Sequence, residues 1–169
     1  VGACSKRGMS ENSALVKGVN RAWDAGLVVV VAAGNNGPRT MSITTPGISR
    51  KVITVGCSDD DREVLVGGNR MVDYSGRGPT AACICKPDLV APGCSVVSCS
   101  SRADKYTIKS GTSMSTPIVS GAVALLLERF PDMTNKDVKL RLRESSVDIG
   151  LPRNQQGWGL LDVGKMLER

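Results

Sequence analysis

One serine of this sequence stands where its hydroxyl could act as a nucleophile. Ser113 follows Gly111, which permits a tight backbone turn, and it opens the long apolar stretch of residues 112–130. A serine in the first turn of a helix lies at the positive end of the helix dipole, beside backbone N–H groups that can bind a developing negative oxygen. Serine is also among the commonest helix caps, so this position alone leaves a purely structural role open.

A second polar residue lies further upstream, at the end of an apolar run. Asn35 comes directly after residues 27–33 and Gly34. An asparagine beside glycine is typical of an ordinary turn, so its position alone leaves a purely structural role open.

Helices and short strands alternate along the chain and would position these two residues. Leu15, Val19 and Trp23 recur at helical spacing, which predicts a helix with Ser10 as its N-cap. The β-branched run 27–33 predicts a strand buried on both faces, as in a parallel sheet, and residues 52–55 predict a second strand. Further short strands are predicted at residues 64–66, 71–74, 89–91, 95–99 and 106–109. This order is typical of an α/β fold.

The last third of the chain is mainly helical. Residues 112–130 are apolar almost all round and rich in small residues, so a buried central helix is predicted. Pro117 is tolerated in a first turn, where its missing N–H deprives no carbonyl of a partner, and this places the helix start within residues 112–115. Thr134 and Asp137 predict a capping box for a helix ending near residue 145, and a last short helix is predicted at residues 162–167.

Five motifs in a fixed order give the chain a family resemblance. They are A-A-G-N-N-G at 32–37, Y-S-G-R-G-P at 74–79, K-P-D-L-V-A-P-G at 86–93, G-T-S-M-S-T-P at 111–117 and G-W-G-L-L-D at 157–162. Along nearly its whole length the chain resembles the subtilisin-like serine peptidases, the subtilase family. Ile118 departs from the pattern, because the family commonly has a histidine after the proline, but that histidine is not the triad base.

The resemblance implies a fold and a set of roles. It implies an α/β domain with a three-layer, mostly parallel twisted sheet and helices on both faces, of which residues 1–169 are the C-terminal portion and the N-terminal part is absent. Ser113 takes the position of the nucleophile of a serine-type endopeptidase, and Asn35 takes that of the oxyanion donor. The walls of the pocket for the residue before the scissile bond fall at Val1, Gly2, Ala32, Ala33 and Gly34. Their small side chains predict a wide slot for a polypeptide substrate, ending near Thr44 and Thr45.

Two residues of a serine-peptidase triad have no counterpart in this sequence. In the family the base and its orienting aspartate lie upstream, in H-G-T-H and D-[ST]-G segments, and the sequence contains no histidine. We therefore expect the chain alone to be inactive and to need the missing N-terminal half of the domain as its partner. A non-catalytic pseudopeptidase, acting as a binding or regulatory module, is the alternative that the sequence leaves open.

Composition narrows the remaining possibilities. The net charge of +6 is spread singly along the chain, which predicts no nucleic-acid partner, and no apolar run reaches the ~20 residues that cross a bilayer, which predicts no membrane partner. The six cysteines form no C-x-x-C pair, so no cofactor or metal is predicted, and free thiols in a reducing, cytoplasmic compartment are favoured. A Cys94–Cys99 disulfide and calcium sites on the missing half are left open. The run of Asp59, Asp60 and Asp61 predicts a solvated loop, with a cation site as the alternative.

Overall fold

The computed structural model of the chain describes residues 12–101 and 105–168. Its strands are β1 (Val30–Ala32), β2 (Ile53–Cys57), β3 (Val64–Val66), β4 (Asn69–Met71), β5 (Leu89–Ala91), β6 (Val96–Cys99) and β7 (Tyr106–Lys109). Its helices are α1 (Ala14–Asp24), α2 (Thr112–Arg129), α3 (Asn135–Ser145), α4 (Arg153–Gln156) and α5 (Val163–Leu167). The central sheet is parallel with the order β1-β2-β5, and β3–β4 and β6–β7 are antiparallel hairpins.

Helices cover both faces of the central sheet. On one face, Val31 of β1 packs against Val19 of α1. On the other face, Ile53 and Val55 of β2 pack in the main core with Leu126 of α2. Because side chains alternate between the faces of a strand, a sheet covered on both sides needs apolar residues throughout, and β2 and β5 are buried along their whole length. The predicted three-layer α/β arrangement is thus confirmed.

The first helix begins later than predicted, and the strand after it is shorter. Ser13, not Ser10, is the N-cap of α1, and its hydroxyl accepts a hydrogen bond from Val16 N at 3.3 Å. Ser10 lies outside the described residues. The β1 ladder occupies only the end of the predicted run 27–33, and Leu27 is 60% exposed. Both serines are good caps by residue type, so spacing alone could not decide between them.

The central helix starts where predicted but is not buried all round. Thr112 is its first residue, which makes Pro117 the sixth and places it in the second turn, not the first. Ser113, Pro117, Gly121 and Leu125 are exposed. Residues four apart lie above one another on a helix, so these four form one stripe. We call it the open stripe of α2. Small apolar residues permit burial, but they do not reveal whether a covering element is present.

The remaining helix signals and the cysteines agree with the sequence. Thr134 and Asp137 form the predicted capping box of α3, and Asp162 caps α5. The thiols of the five cysteines within the described ranges are all free, so Cys94 and Cys99 are not joined. Among the described residues, no helix is long and apolar enough to cross a membrane.

The contrast between Leu142 and Leu140 on α3 tests this packing. Leu142 is fully buried in the main core, whereas Leu140 is 53% exposed. We expect Leu142→Ala to lower the free energy of unfolding by about 3 kcal/mol, because it leaves a cavity, and Leu140→Ala to lower it by less than about 1 kcal/mol. Denaturant unfolding of both variants measures the difference. Equal effects would contradict the described orientation of α3.

Candidate active site

The end of β1 and the start of α2 meet through one asparagine side chain. Asn35 Oδ1 accepts hydrogen bonds from Thr112 N at 2.9 Å and from Thr112 Oγ1 at 3.0 Å. In return, Gly34 N donates to Thr112 Oγ1 at 3.1 Å. Three hydrogen bonds therefore join residues that are 77 or 78 positions apart in the sequence. Asn35 lies beside the residue that precedes Ser113, as the two motifs predicted.

These bonds fix which end of the Asn35 amide is available. The backbone N–H of Thr112 is a donor, so the side-chain atom that faces it must be the oxygen. The Nδ2 group consequently points away from Thr112 N, and it makes no hydrogen bond to another residue in the described ranges. An amide held by its oxygen, with its N–H donors free, is suited to binding an anionic oxygen.

Glycine is required on both sides of this junction. Gly111 has a φ of +139°, a region that favours glycine, and a Cβ atom there would lie 3.2 Å from Asn35 Nδ2. Gly34 has a φ of +96°, and a Cβ atom there would overlap the side chain of Thr44. A side chain at either position would strain the backbone, and at Gly34 it would also force Thr44 to move.

Ser113 lies at the open end of this junction. It is exposed, as the second residue of α2, and no described residue is hydrogen-bonded to its hydroxyl. Of the backbone N–H groups in this first turn, Thr112 N donates to Asn35 Oδ1 at 2.9 Å and Met114 N donates to Gly111 O at 2.8 Å. The geometry thus offers an exposed hydroxyl at the positive end of the helix, directly after the residue that holds the Asn35 amide.

The predicted pocket walls are only partly described. Ala32 and Ala33 are buried at the end of β1, and Gly34 follows them. Val1 and Gly2 lie outside the described residues. Beside Gly34, Thr44 packs closely and its hydroxyl donates to Ala33 O at 3.3 Å.

A half-buried carboxylate, Asp59, supports the loop that contains Gly93 and Cys94. Asp59 Oδ1 accepts from Gly93 N at 2.7 Å, from Cys94 N at 3.1 Å and from the Cys57 thiol at 3.1 Å. Burial raises the pKa of Cys57 to about 12, so the thiol stays protonated and can donate. Gly93 O in turn accepts from Gly111 N at 2.9 Å, which ties this loop to the start of α2.

The solvated loop predicted for the three aspartates is wrong for two of them. Asp59 makes the bonds just described, and Asp60 is buried and accepts from Ser75 N at 2.6 Å. Burial raises the pKa of Asp60. Only Asp61 is exposed. The described residues contain no group of three or more His, Cys, Asp or Glu side chains that could hold a metal ion.

Comparison with known proteins identifies the family. The model of the subtilase family matches residues 2–159. The chain belongs to the subtilase family. Among curated subtilases, it is 43% identical over 145 residues to the serine protease AprX of Bacillus subtilis (strain 168), covering 78% of this chain and 33% of AprX. It is 34% identical over 158 residues to subtilisin DY of Bacillus licheniformis, covering 92% of this chain and 52% of that protein.

A solved structure shows the same fold. The prenylagaramide maturation protease PagA superposes with a TM-score of 0.70 at 23% identity, over 90% of this chain and 54% of that one. The chain thus spans about a third to a half of the length of these subtilases. The similarity to PagA, at this identity, concerns the fold alone.

Sequence reasoning missed Thr112. It stands inside the G-T-S-M-S-T-P segment, but a threonine at a helix start is ordinarily a cap, so no further role was predicted for its hydroxyl. The structure shows that this hydroxyl donates to Asn35 and accepts from Gly34. Only the tertiary contact reveals its part in holding the amide.

Two substitutions distinguish the contribution of the Thr112 hydroxyl group to stability from that of its methyl group. Thr112→Val keeps the shape but leaves Gly34 N without an acceptor, so we expect the free energy of unfolding to fall by about 1–3 kcal/mol. Thr112→Ser keeps the hydroxyl and should cost less than about 1 kcal/mol. Denaturant unfolding measures both. If the serine variant were the less stable of the two, packing of the methyl group, not the hydrogen bonds, would be what matters.

Proposed function

We propose that the chain carries the nucleophile and the oxyanion site of a serine-type endopeptidase. The observation that supports this most directly is the Asn35 amide, which Thr112 holds by its oxygen at the start of α2 and whose Nδ2 group has no hydrogen-bond partner among residues 12–101 and 105–168. Ser113 Oγ would attack the carbonyl carbon of a peptide bond, and Asn35 Nδ2 would donate to the oxygen that becomes negative. Both groups lie at one helix terminus, so they can address the same carbonyl.

The reaction would proceed through an acyl-enzyme on Ser113. A base accepts the proton of the hydroxyl as the new C–O bond forms, and it returns that proton to the amine that leaves as the peptide bond breaks. Water then attacks the ester, again with loss of a proton to the base, and releases the acid and the free serine. The sequence contains no histidine, so the proton-accepting group would come from outside this chain.

Two surfaces support an upstream part of the domain as the missing partner. β1 lies at one end of the strand order, so one of its edges is unpaired within the described residues. The open stripe of α2 is exposed and begins at Ser113. Such a partner would cover the stripe and bring its base to the hydroxyl at the top of it. The chain alone would then be inactive.

The five free cysteines support a reducing compartment for the protein. In an oxidising compartment, exposed thiols such as Cys83, Cys85 and Cys99 tend to be paired in disulfides, and here they are free. We therefore infer a cytoplasmic location. This inference concerns the environment of the protein and is independent of its catalytic activity.

Labelling with a fluorophosphonate tests the nucleophile. This probe reacts with an activated serine and scarcely with an ordinary one, so the full-length protein should be labelled at Ser113, and Ser113→Ala should abolish the label. Ser120→Ala is the matched control, since Ser120 is exposed on the same helix but only donates to Thr116 O. A folded full-length protein without label at Ser113 would favour the pseudopeptidase alternative. Peptide cleavage by the 169-residue chain alone would contradict the need for an upstream base.

Substitution of Asn35 tests the oxyanion donor. Asn35→Asp keeps the oxygen that accepts from Thr112 but removes the N–H donors, whereas Asn35→Ala removes both. In subtilisin, loss of the corresponding donor is a known case that lowers kcat by about 10²–10³, and we expect a decrease of this size for both variants with little change in KM. Steady-state peptide hydrolysis by the full-length protein measures it. An aspartate variant with full kcat would rule out Asn35 as the donor.

A further inference from the structure

The loop that carries the proposed oxyanion donor is hydrogen-bonded at both of its ends to one other segment of the chain. At the first end, Gly34 O accepts a hydrogen bond from Gly76 N at 2.8 Å. At the second end, Gly37 N donates to Tyr74 O at 2.9 Å. The donor residue stands between these two bonds in the sequence. We call residues 74–76 the clamp segment.

The clamp segment and the loop are in direct contact, with no room for a side chain between them. A Cβ atom on Gly76 would lie 2.7 Å from Ala33 O. A Cβ atom on Gly37 would lie 2.3 Å from Ser75 O. Closely packed interiors transmit strain, so a displacement of the clamp segment would displace the loop as well.

A buried carboxylate holds the middle of the clamp segment. Asp60 Oδ2 accepts from Ser75 N at 2.6 Å, and Asp60 O accepts from Asp73 N at 2.7 Å. Asp60 is only 3% exposed, and Ser75 is fully buried. A hydrogen bond from a backbone N–H group to a carboxylate is charge-assisted and therefore stronger than one between neutral groups. Asp60 thus fixes the clamp segment through both its side chain and its main chain.

The central sheet supports the same arrangement. Ser75 Oγ accepts from Cys57 N at 2.9 Å, at the end of β2. Asp60 follows Cys57 by three residues, so one strand end positions both hydrogen-bond partners of Ser75. The neighbouring Asp59 bonds to the loop that contacts the start of α2, whereas Asp60 bonds to the segment that contacts the end of β1.

We propose that Asp60 is a positioning residue for the oxyanion site, because it holds the clamp segment against the loop that carries Asn35. In this role Asp60 neither touches the substrate nor transfers a proton. It acts through the backbone of Ser75, and the clamp segment then keeps the Asn35 amide aligned with Ser113. The proposal rests on the proposed function, since it concerns the oxyanion donor of that reaction.

Substitutions of Asp60 in the full-length protein test this role. Asp60→Ala removes the acceptor of Ser75 N, whereas Asp60→Asn keeps an oxygen that can accept from it. A displacement of about 1 Å in a catalytic group can cost about 10²-fold in rate, so we expect Asp60→Ala to lower kcat for peptide hydrolysis by about 10-fold. KM should change by less than about 2-fold, because the interaction lost is one made in the transition state.

Two further variants show whether the effect depends on the acceptor oxygen. Asp60→Asn should keep kcat within about 3-fold of the unmodified protein, because Ser75 N retains its partner. Asp61→Ala is the matched control, since Asp61 is exposed beside Asp60, and it should leave kcat unchanged. A loss in Asp60→Asn as large as that in Asp60→Ala would overturn the proposal.

A double-substitution experiment tests whether Asp60 acts through Asn35. In a protein that already carries Asn35→Ala, adding Asp60→Ala should lower kcat by less than about 2-fold, because the donor that it positions is absent. A purely structural role would give the same factor in both backgrounds. Leu142→Ala, which is destabilised in the main core, should keep its kcat when it is assayed well below its Tm. Equal factors in the two backgrounds, or an unchanged kcat in Asp60→Ala, would show the proposal to be wrong.

Two outcomes need to be kept apart. If Asn35→Ala leaves kcat unchanged, the proposed function fails and the role of Asp60 fails with it. If Asn35→Ala lowers kcat but Asp60→Ala does not, only the role of Asp60 is wrong. Should Asp60→Ala not fold, Asp60→Glu replaces it in the same experiment, because it keeps the carboxylate but moves it by one methylene group. The same comparison of the two backgrounds then decides.

Discussion

The hydrogen bonds between Asn35 and Thr112 are the constraint on which the candidate site depends. They join the end of the first strand of the parallel sheet to the first turn of the central helix. The backbone N–H groups at a helix start have no partners within the helix, and here a side chain just after the strand accepts from one of them. The same bonds that satisfy this junction also turn the Asn35 N–H donors outward, beside Ser113. Structure and proposed chemistry therefore rest on one contact.

Two carboxylates, the half-buried Asp59 and the buried Asp60, hold loops near this junction. Asp59 accepts hydrogen bonds from Gly93 N and Cys94 N, and Asp60 accepts one from Ser75 N. These loops have few backbone partners of their own, and an unpaired buried N–H group costs about 1–3 kcal/mol. A single carboxylate that accepts two or more bonds removes several such costs at once. This explains why acidic residues lie inside a chain whose surface is basic.

The sequence predicted the helices and strands better than it predicted the exposure and the contacts of their side chains. Helical spacing, the β-branched run before Gly34 and the capping box of Thr134 are local signals, and the structure confirms them. The motifs also predicted that Asn35 and Ser113 lie together. What could not be predicted depends on distant residues: the exposed stripe of α2, the burial of Asp60, the hydrogen bonds of Asp59 and the hydroxyl contacts of Thr112. Residue type indicates that a side chain can be buried or can donate a hydrogen bond. Whether it is buried, and which partner it has, depends on the tertiary structure.

The proposed mechanism divides the catalytic groups between this chain and a second segment. The division follows from which of these groups can gain or lose a proton. The groups that this chain places at the site, an amide, a hydroxyl and backbone N–H groups, do not change charge near neutral pH. They can stabilise an oxyanion and accept an acyl group, but they cannot take up and return a proton. In serine peptidases, oxyanion binding and substrate binding alone give a rate about 10³–10⁴-fold above that in water. The rest of the rate enhancement requires the base and the nucleophile acting together. In the proposed mechanism, contacts within this chain would build the electrostatic part of the machinery, whereas the proton-transfer part would come from a second segment packed against the open stripe of α2.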